Sequence, residues 1–246
     1  STVRDMDRIR GAVGDKKLTY VGYSYGTYLG TLYAKLFPKK VRALVFDGAV
    51  DPNLSRFDLV LDQAKSFETN LDGFFDRCSQ DRRCAFYSGG DPRSAFDQLV
   101  ARIDETPIRA GEARTLGPGE FDYGVLQPLY SGSESDGDLA QALGAAQRGD
   151  GGPLLALSDQ YTGRRSDVSS DSSQPAYWAI GCLDGPSGGG PDAYQATEPQ
   201  IQTAAPRTGV SNLNDTLVCA YWPVPPVERR RSIRVNGTPP ILVIGT

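Results

Sequence analysis

Gly22-Tyr23-Ser24-Tyr25-Gly26 is the stretch of this sequence whose residue types and spacing are best suited to covalent chemistry. The pattern G-x-S-x-G places a serine on a tight turn between a strand and a helix, with its hydroxyl facing out of the sheet. Glycine on either side lets strand and helix approach without a Cβ clash. The N–H of Tyr25, at the start of the helix, then points to where a substrate oxygen gathers charge and forms half of an oxyanion hole. A serine so held is an acyl-transfer nucleophile once a base and an acid attend it. Gly185-Pro186-Ser187-Gly188-Gly189 fits the same pattern. It lies in a glycine-rich loop with no apolar strand before it and no helix after it, and is read as coincidence.

The sequence contains 0 histidines. Where this turn occurs, the acid and then the histidine follow the serine in chain order, so the base is expected beyond Thr246. Asp47 and Asp51 sit just past a second strand and are possible acids. Asp47-Gly48 reads more simply as a turn and Asp51-Pro52 as the start of an insertion, so the acid too is expected past Thr246. The 4 cysteines are Cys78, Cys84, Cys182 and Cys219. With no histidine to join them, a zinc site is disfavoured. Two disulfides, Cys78–Cys84 and Cys182–Cys219, are expected because each pair shares a sequence neighbourhood. Four buried free thiols are the alternative. Disulfides persist in exported proteins.

The elements that must hold the serine are legible around it. Val3, Met6, Ile9 and Val13 recur at helical spacing up to Gly14. Leu18–Tyr23 is a short β-prone run, Tyr25–Phe37 a mostly apolar helix stopped by Pro38, and Val41–Phe46 a second strand. Strand, helix and strand in so short a span make one βαβ unit and imply a parallel sheet. Ile241–Ile244 is a third strand. Between them the texture changes. Helices are expected around Leu59–Phe75, Phe96–Ile103 and Leu139–Ala146, the last closed by Gly149-Asp150-Gly151-Gly152. Ser166–Gln174 and Gly185–Gly190 look mobile, and Pro223–Pro226 with Arg229-Arg230-Arg231 forms an exposed return to the core. The expected organisation is a partial α/β-hydrolase fold: core at residues 1–54 with the serine turn, a large, mostly helical lid at 55–232, and a returning core strand at 233–246.

Composition narrows the class. The chain has 246 residues, 26 Lys+Arg against 30 Asp+Glu and a net charge of −4. That balance argues against a nucleic-acid partner and against disorder. No apolar run reaches the roughly 18 residues a bilayer crossing requires. Ser1 falls in what reads as mid-helix, so the lack of a visible leader carries no weight.

Several stretches resemble the exported tripeptidyl aminopeptidases of actinobacteria, serine exopeptidases of the α/β-hydrolase superfamily related to prolyl aminopeptidases. They are Val3–Asp7, Tyr20–Gly30, Phe46–Pro52, Ala179–Asp184, Cys219–Pro223 and Pro239–Thr246. The resemblance implies Ser24 as nucleophile and Tyr25 as oxyanion donor. It also implies that the sequence is an internal fragment. An N-terminal portion would carry the early strands and a His-Gly-Gly-type loop with the second oxyanion N–H, and a C-terminal portion the catalytic Asp and His. Acidic cap residues of related aminopeptidases bind the substrate's α-ammonium. Asp184, in a matching motif beside a cysteine, is the candidate here, and a helix or turn cap is its plainer role.

The expected function is therefore a bacterial, secreted or envelope serine exopeptidase that releases short peptides from free N-termini through an acyl-enzyme. Its partners would be a peptide substrate and the remaining parts of its own core, and no cofactor is implied. A helical lid that admits only chain ends fits this better than an open esterase site. Esterase activity is the near alternative, and a non-catalytic binding module on a hydrolase fold the distant one. Without acid and base, these residues alone are expected to be inactive.

Overall fold

The structure, a computed structural model, describes residues 2–165, 171–184, 188–225 and 233–245. The chain forms two compact units, Ser1–Leu54 with Glu228–Thr246, and Ser55–Val227. In chain order the first unit contributes α1 (Thr2–Ala12), β1 (Leu18–Tyr23), α2 (Tyr25–Leu36) and β2 (Val41–Asp47). The second holds α3 (Arg56–Gln80), α4 (Pro92–Glu105), β3 (Ile108–Ala110), β4 (Arg114–Leu116), α5 (Pro118–Leu129), α6 (Asp136–Gln147), α7 (Gly152–Thr162), α8 (Ser173–Asp184), α9 (Pro191–Ala204) and α10 (Gly209–Leu217). The chain then returns to the first unit as β5 (Ile241–Ile244).

In the first unit β1, β2 and β5 form a parallel sheet in that order. The βαβ unit expected from sequence is present, and Pro38 ends the apolar helix by opening a short 3-10 turn, Pro38–Lys40. Alternation along β1 buries Gly22 and half-buries Leu18 and Tyr20, while Thr19, Val21 and Tyr23 point to solvent. The inward side chains join Val3, Tyr33, Ala34, Val41, Leu44 and Phe46 in one cluster. Asp7 of α1 accepts hydrogen bonds from Arg10 (2.9 Å), Tyr33 (3.1 Å) and Lys40 (2.7 Å), which fastens α1 to α2 and its following turn. The Lys40 ammonium first, then Arg10 and Tyr33, holds that carboxyl down at about 2.

The second unit is helical, and its core is aromatic. Phe74, Phe75, Phe96 and Phe121 meet in series at tilted or edge-on contacts, with centroid spacings of 5.6, 5.4 and 5.4 Å. Helix α3 starts with a capping box between Ser55 and Asp58. Its buried Glu68 accepts from the backbone N–H groups of Arg207 and Thr208 and from the Thr208 hydroxyl, tying α3 to the turn before α10. Arg207 is forked to Asp97 at 2.8 and 2.9 Å, which links the same turn to α4.

Sequence expectation and structure differ at several places in this unit. A two-stranded antiparallel hairpin, β3 with β4, interrupts the helices, its turn made possible by Gly111 at φ 75°. Gly152 does not simply close α6; it opens α7, with Pro153 in the first turn. Ser173 and Gln174 lie in α8 rather than in a loop. Residues 166–170 of the stretch read as mobile, Ser187 of the second serine pattern and the Arg229–Arg231 run lie outside the described residues.

Both disulfides form: Cys78–Cys84, with a sequence separation of 6, and Cys182–Cys219, with a separation of 37. No described cysteine is free. In the chain-entropy picture the longer loop contributes about 4 kcal/mol and the shorter about 2 kcal/mol. Cys219→Ser is thus expected to lower the urea midpoint of the second unit more than Cys84→Ser does, and equilibrium unfolding of the two variants checks the order.

Candidate active site

β1 ends at Tyr23 and α2 begins at Tyr25, so the whole change of direction falls on Ser24. Its backbone sits at φ 48° and ψ −119°, a conformation in which a side-chain-bearing residue stores about 1–3 kcal/mol. The surrounding hydrogen bonds hold it there. The Ser24 N–H donates to the Asp47 carbonyl at 3.0 Å, an extension of the β1–β2 ladder past the strand end. The Ser24 carbonyl accepts from the Thr27 N–H at 2.9 Å and from the Thr27 hydroxyl at 2.7 Å. The Thr27 oxygen in turn accepts from the Val50 N–H at 2.9 Å, so a buried threonine fastens the turn to the loop after β2. The Ser24 side chain makes no capping bond to its own helix and is exposed.

The glycines act by close approach. A Cβ on Gly22 would lie 2.7 Å from the backbone carbon and oxygen of Gly26 and 2.8 Å from the Tyr20 ring. A Cβ on Gly30, one turn further along α2, would strike the Phe46 ring. Tyr20 also donates its hydroxyl to the Gly26 carbonyl at 2.9 Å, fixing the first turn of the helix to β1. Gly22→Ala must therefore push α2 off the strand. The expected result is a loss of several kcal/mol, of the order of an overpacked core site, read as a lower thermal midpoint. Ser24→Ala keeps the backbone packing and leaves that midpoint near wild type.

Strand register puts Tyr23 opposite Asp47, and Asp47 opposite Ile244. Ser24, Gly48 and Gly245 thus emerge together at the carboxyl edge of the sheet, where α/β proteins place their ligands. The Gly48 N–H closes this edge with a bond of 3.3 Å to the Ile244 carbonyl. Asp51 is used locally: its Oδ1 accepts from the Asn53 backbone (2.8 Å) and from the Asn53 side-chain amide (3.1 Å), an Asx turn. The Tyr25 N–H lies in the first turn of α2, and its ring packs on Tyr28 at 5.6 Å.

Asp184 is in the second unit, as the exposed last residue of α8, two residues after the disulfide-bonded Cys182. Ser24 and Tyr25 are adjacent in the first unit; Asp184 is not part of that unit. Among the described residues no group of three or more Cys, Asp or Glu side chains is placed to hold a metal ion. No described helix is long and apolar enough to cross a membrane.

A parallel sheet whose strand-to-helix turn carries a positive-φ serine is the core architecture of the α/β-hydrolase fold. Residues 1–89 match the family model of the alpha/beta hydrolase fold. Along its whole length the chain is 33% identical to serine protease Hip1 of Mycobacterium tuberculosis and covers 49% of that protein. It is 32% identical to carboxylesterase B of the same organism, covering 48% of it. Over 99% of its length it is 27% identical to a tripeptidyl aminopeptidase of Streptomyces lividans, covering 45% of that chain. The chain thus spans about half the length of each of these relatives.

Proposed function

We propose that this chain supplies the nucleophile of a serine hydrolase, most specifically an exopeptidase that removes short peptides from free N-termini. The observation that carries the proposal is Ser24 itself, exposed at φ 48° on the turn between β1 and α2. In the reaction the Ser24 oxygen attacks the scissile carbonyl while its proton passes to a general base. The Tyr25 N–H, aligned with the positive end of α2, stabilises the oxyanion. Collapse expels the amine, which takes the proton, and water then hydrolyses the acyl-enzyme. The base is a group that the sequence does not contain, because there are 0 histidines in it. These residues alone are accordingly inactive, and the acid and histidine belong to the rest of the protein.

Relatives named as a serine protease and a tripeptidyl aminopeptidase support a peptide substrate. The helical unit would act as the lid that limits access to chain ends, with Asp184 as the proposed partner of the substrate's α-ammonium. Two disulfides support an extracytoplasmic site of action. A second reading, ester hydrolysis, is favoured by the relative named carboxylesterase B. One experiment separates them. The intact protein is offered a tripeptide aminomethylcoumarin amide with a free amine, the same amide acetylated, and a p-nitrophenyl acyl ester. An exopeptidase cleaves the first and loses at least a hundredfold in kcat/KM on the second. Equal rates on both amides overturn the exopeptidase reading, and turnover of the ester alone assigns an esterase.

A further inference from the structure

The Ser24 carbonyl takes two hydrogen bonds from a single residue. The Thr27 N–H donates to it at 2.9 Å and the Thr27 hydroxyl at 2.7 Å. A hydroxyl has one proton to give, so with that proton committed its oxygen meets its other neighbour as an acceptor. That neighbour is the Val50 N–H, at 2.9 Å. Thr27 is 1% exposed, which keeps both bonds out of bulk water. The loop that carries Val50 is itself tied down. Asp51 and Asn53 close a turn just beyond it, and the Asn53 side chain accepts from the Ile233 N–H at 2.9 Å.

Holding this carbonyl has an effect one residue further on. The Ser24 C=O and the Tyr25 N–H belong to one planar trans amide, so they point in opposite directions and turn together. At φ 48° and ψ −119° Ser24 occupies a sparsely populated conformation, which persists only where its surroundings over-determine it. The plane is therefore set from outside, at its carbonyl end, and the Thr27 hydroxyl links that end to the loop after β2.

We propose that Thr27 is a positioning residue for oxyanion stabilisation: by gripping the Ser24 carbonyl, its hydroxyl aims the Tyr25 N–H at the point where the substrate oxygen gathers charge. This role rests on the proposed functions of Ser24 and Tyr25. Its effect belongs to the transition state, because such donors are aligned with the charged oxygen rather than with the ground-state carbonyl.

Kinetics are measured on the intact protein with whichever of the free tripeptide amide and the p-nitrophenyl ester it turns over. Thr27→Val is expected to lower kcat about tenfold, less than the hundredfold or more lost with a whole oxyanion donor, and to leave KM unchanged. A trifluoromethyl ketone with the same acyl group reports on the oxyanion itself. The serine oxygen adds to its carbonyl carbon, the serine proton passes to the base, and the carbonyl electron pair becomes the oxyanion. Its inhibition constant is expected to weaken by the factor by which kcat falls. Thr27→Ser, which keeps the hydroxyl, restores both. Thr27→Ala leaves room for a water at the Val50 N–H, so it gives the same result should the valine variant fail to fold. Thr31→Val removes a comparable bond one turn along α2, from the Thr31 hydroxyl to the Thr27 carbonyl at 2.9 Å, and leaves both constants at their wild-type values. Wild-type constants in a folded Thr27→Val or Thr27→Ala variant, a fall in kcat without a matching loss of ketone affinity, or an equal fall in Thr31→Val overturns the positioning role. Turnover that is absent, or that survives Ser24→Ala, is a different failure: it removes the hydrolase reading, and this role with it.

Discussion

Ser24→Ala in the intact protein is expected to lower kcat by roughly a million-fold, because removal of a nucleophile silences the whole acyl-transfer unit rather than one contribution to it. Substrate affinity should change little, since the hydroxyl is exposed and caps nothing in the ground-state fold. The hydrogen bonds that hold the turn come from the Ser24 backbone, the Thr27 hydroxyl and Val50, and all survive the substitution. Steady-state kinetics paired with a melting curve therefore make the test: activity collapses while the midpoint stays. Retention of more than one per cent of kcat would remove Ser24 from the reaction.

The largest expected effect of pH on stability comes from Asp122 on α5. Burial, and then the nearby Asp104 charge, pushes its carboxyl up to about 7 from 3.8. A carboxyl raised in the folded state binds its proton more tightly there than in the unfolded chain. Its contribution is thus largest below the unfolded pKa and is lost as pH rises through the folded value, here between about 4 and 7. A gap of about three pH units corresponds to a loss of about 4 kcal/mol at full titration. Asp122→Asn removes the titration. The variant should be more stable than wild type at pH 8 and close to it at pH 4. Urea unfolding at the two pH values measures the difference, and parallel profiles for the two proteins would contradict it.

The parts legible in the sequence were those dictated by local pattern. The short β-prone run before Ser24, the mostly apolar helix after it with Pro38 as a stop, and the second short run mark β1, α2 and β2 within a residue or two of their observed ends. Cysteine spacing marked the two disulfides. The hairpin of β3 and β4 escaped because strands of 3 residues are too short to show alternation. Helices α5 and α9 were obscured by Pro128 and Pro199 within them, which tertiary packing overrides. The hydrogen bond from Tyr123 of α5 to Asp215 of α10 left no sequence signal, because only folding brings those two helices together.

Strands β2 and β5 are neighbours in the sheet although about 190 residues separate them, a closure whose entropy grows only with the logarithm of the loop. The chain leaves and rejoins the sheet at one spot, where the Ile233 N–H donates to the Asn53 side chain at 2.9 Å. What lies between is one continuous excursion of the chain, Arg56 to Tyr221 in its described elements. An excursion of this kind can be lengthened, recarved or exchanged for another without reopening the strand pairing that holds the turn at Ser24.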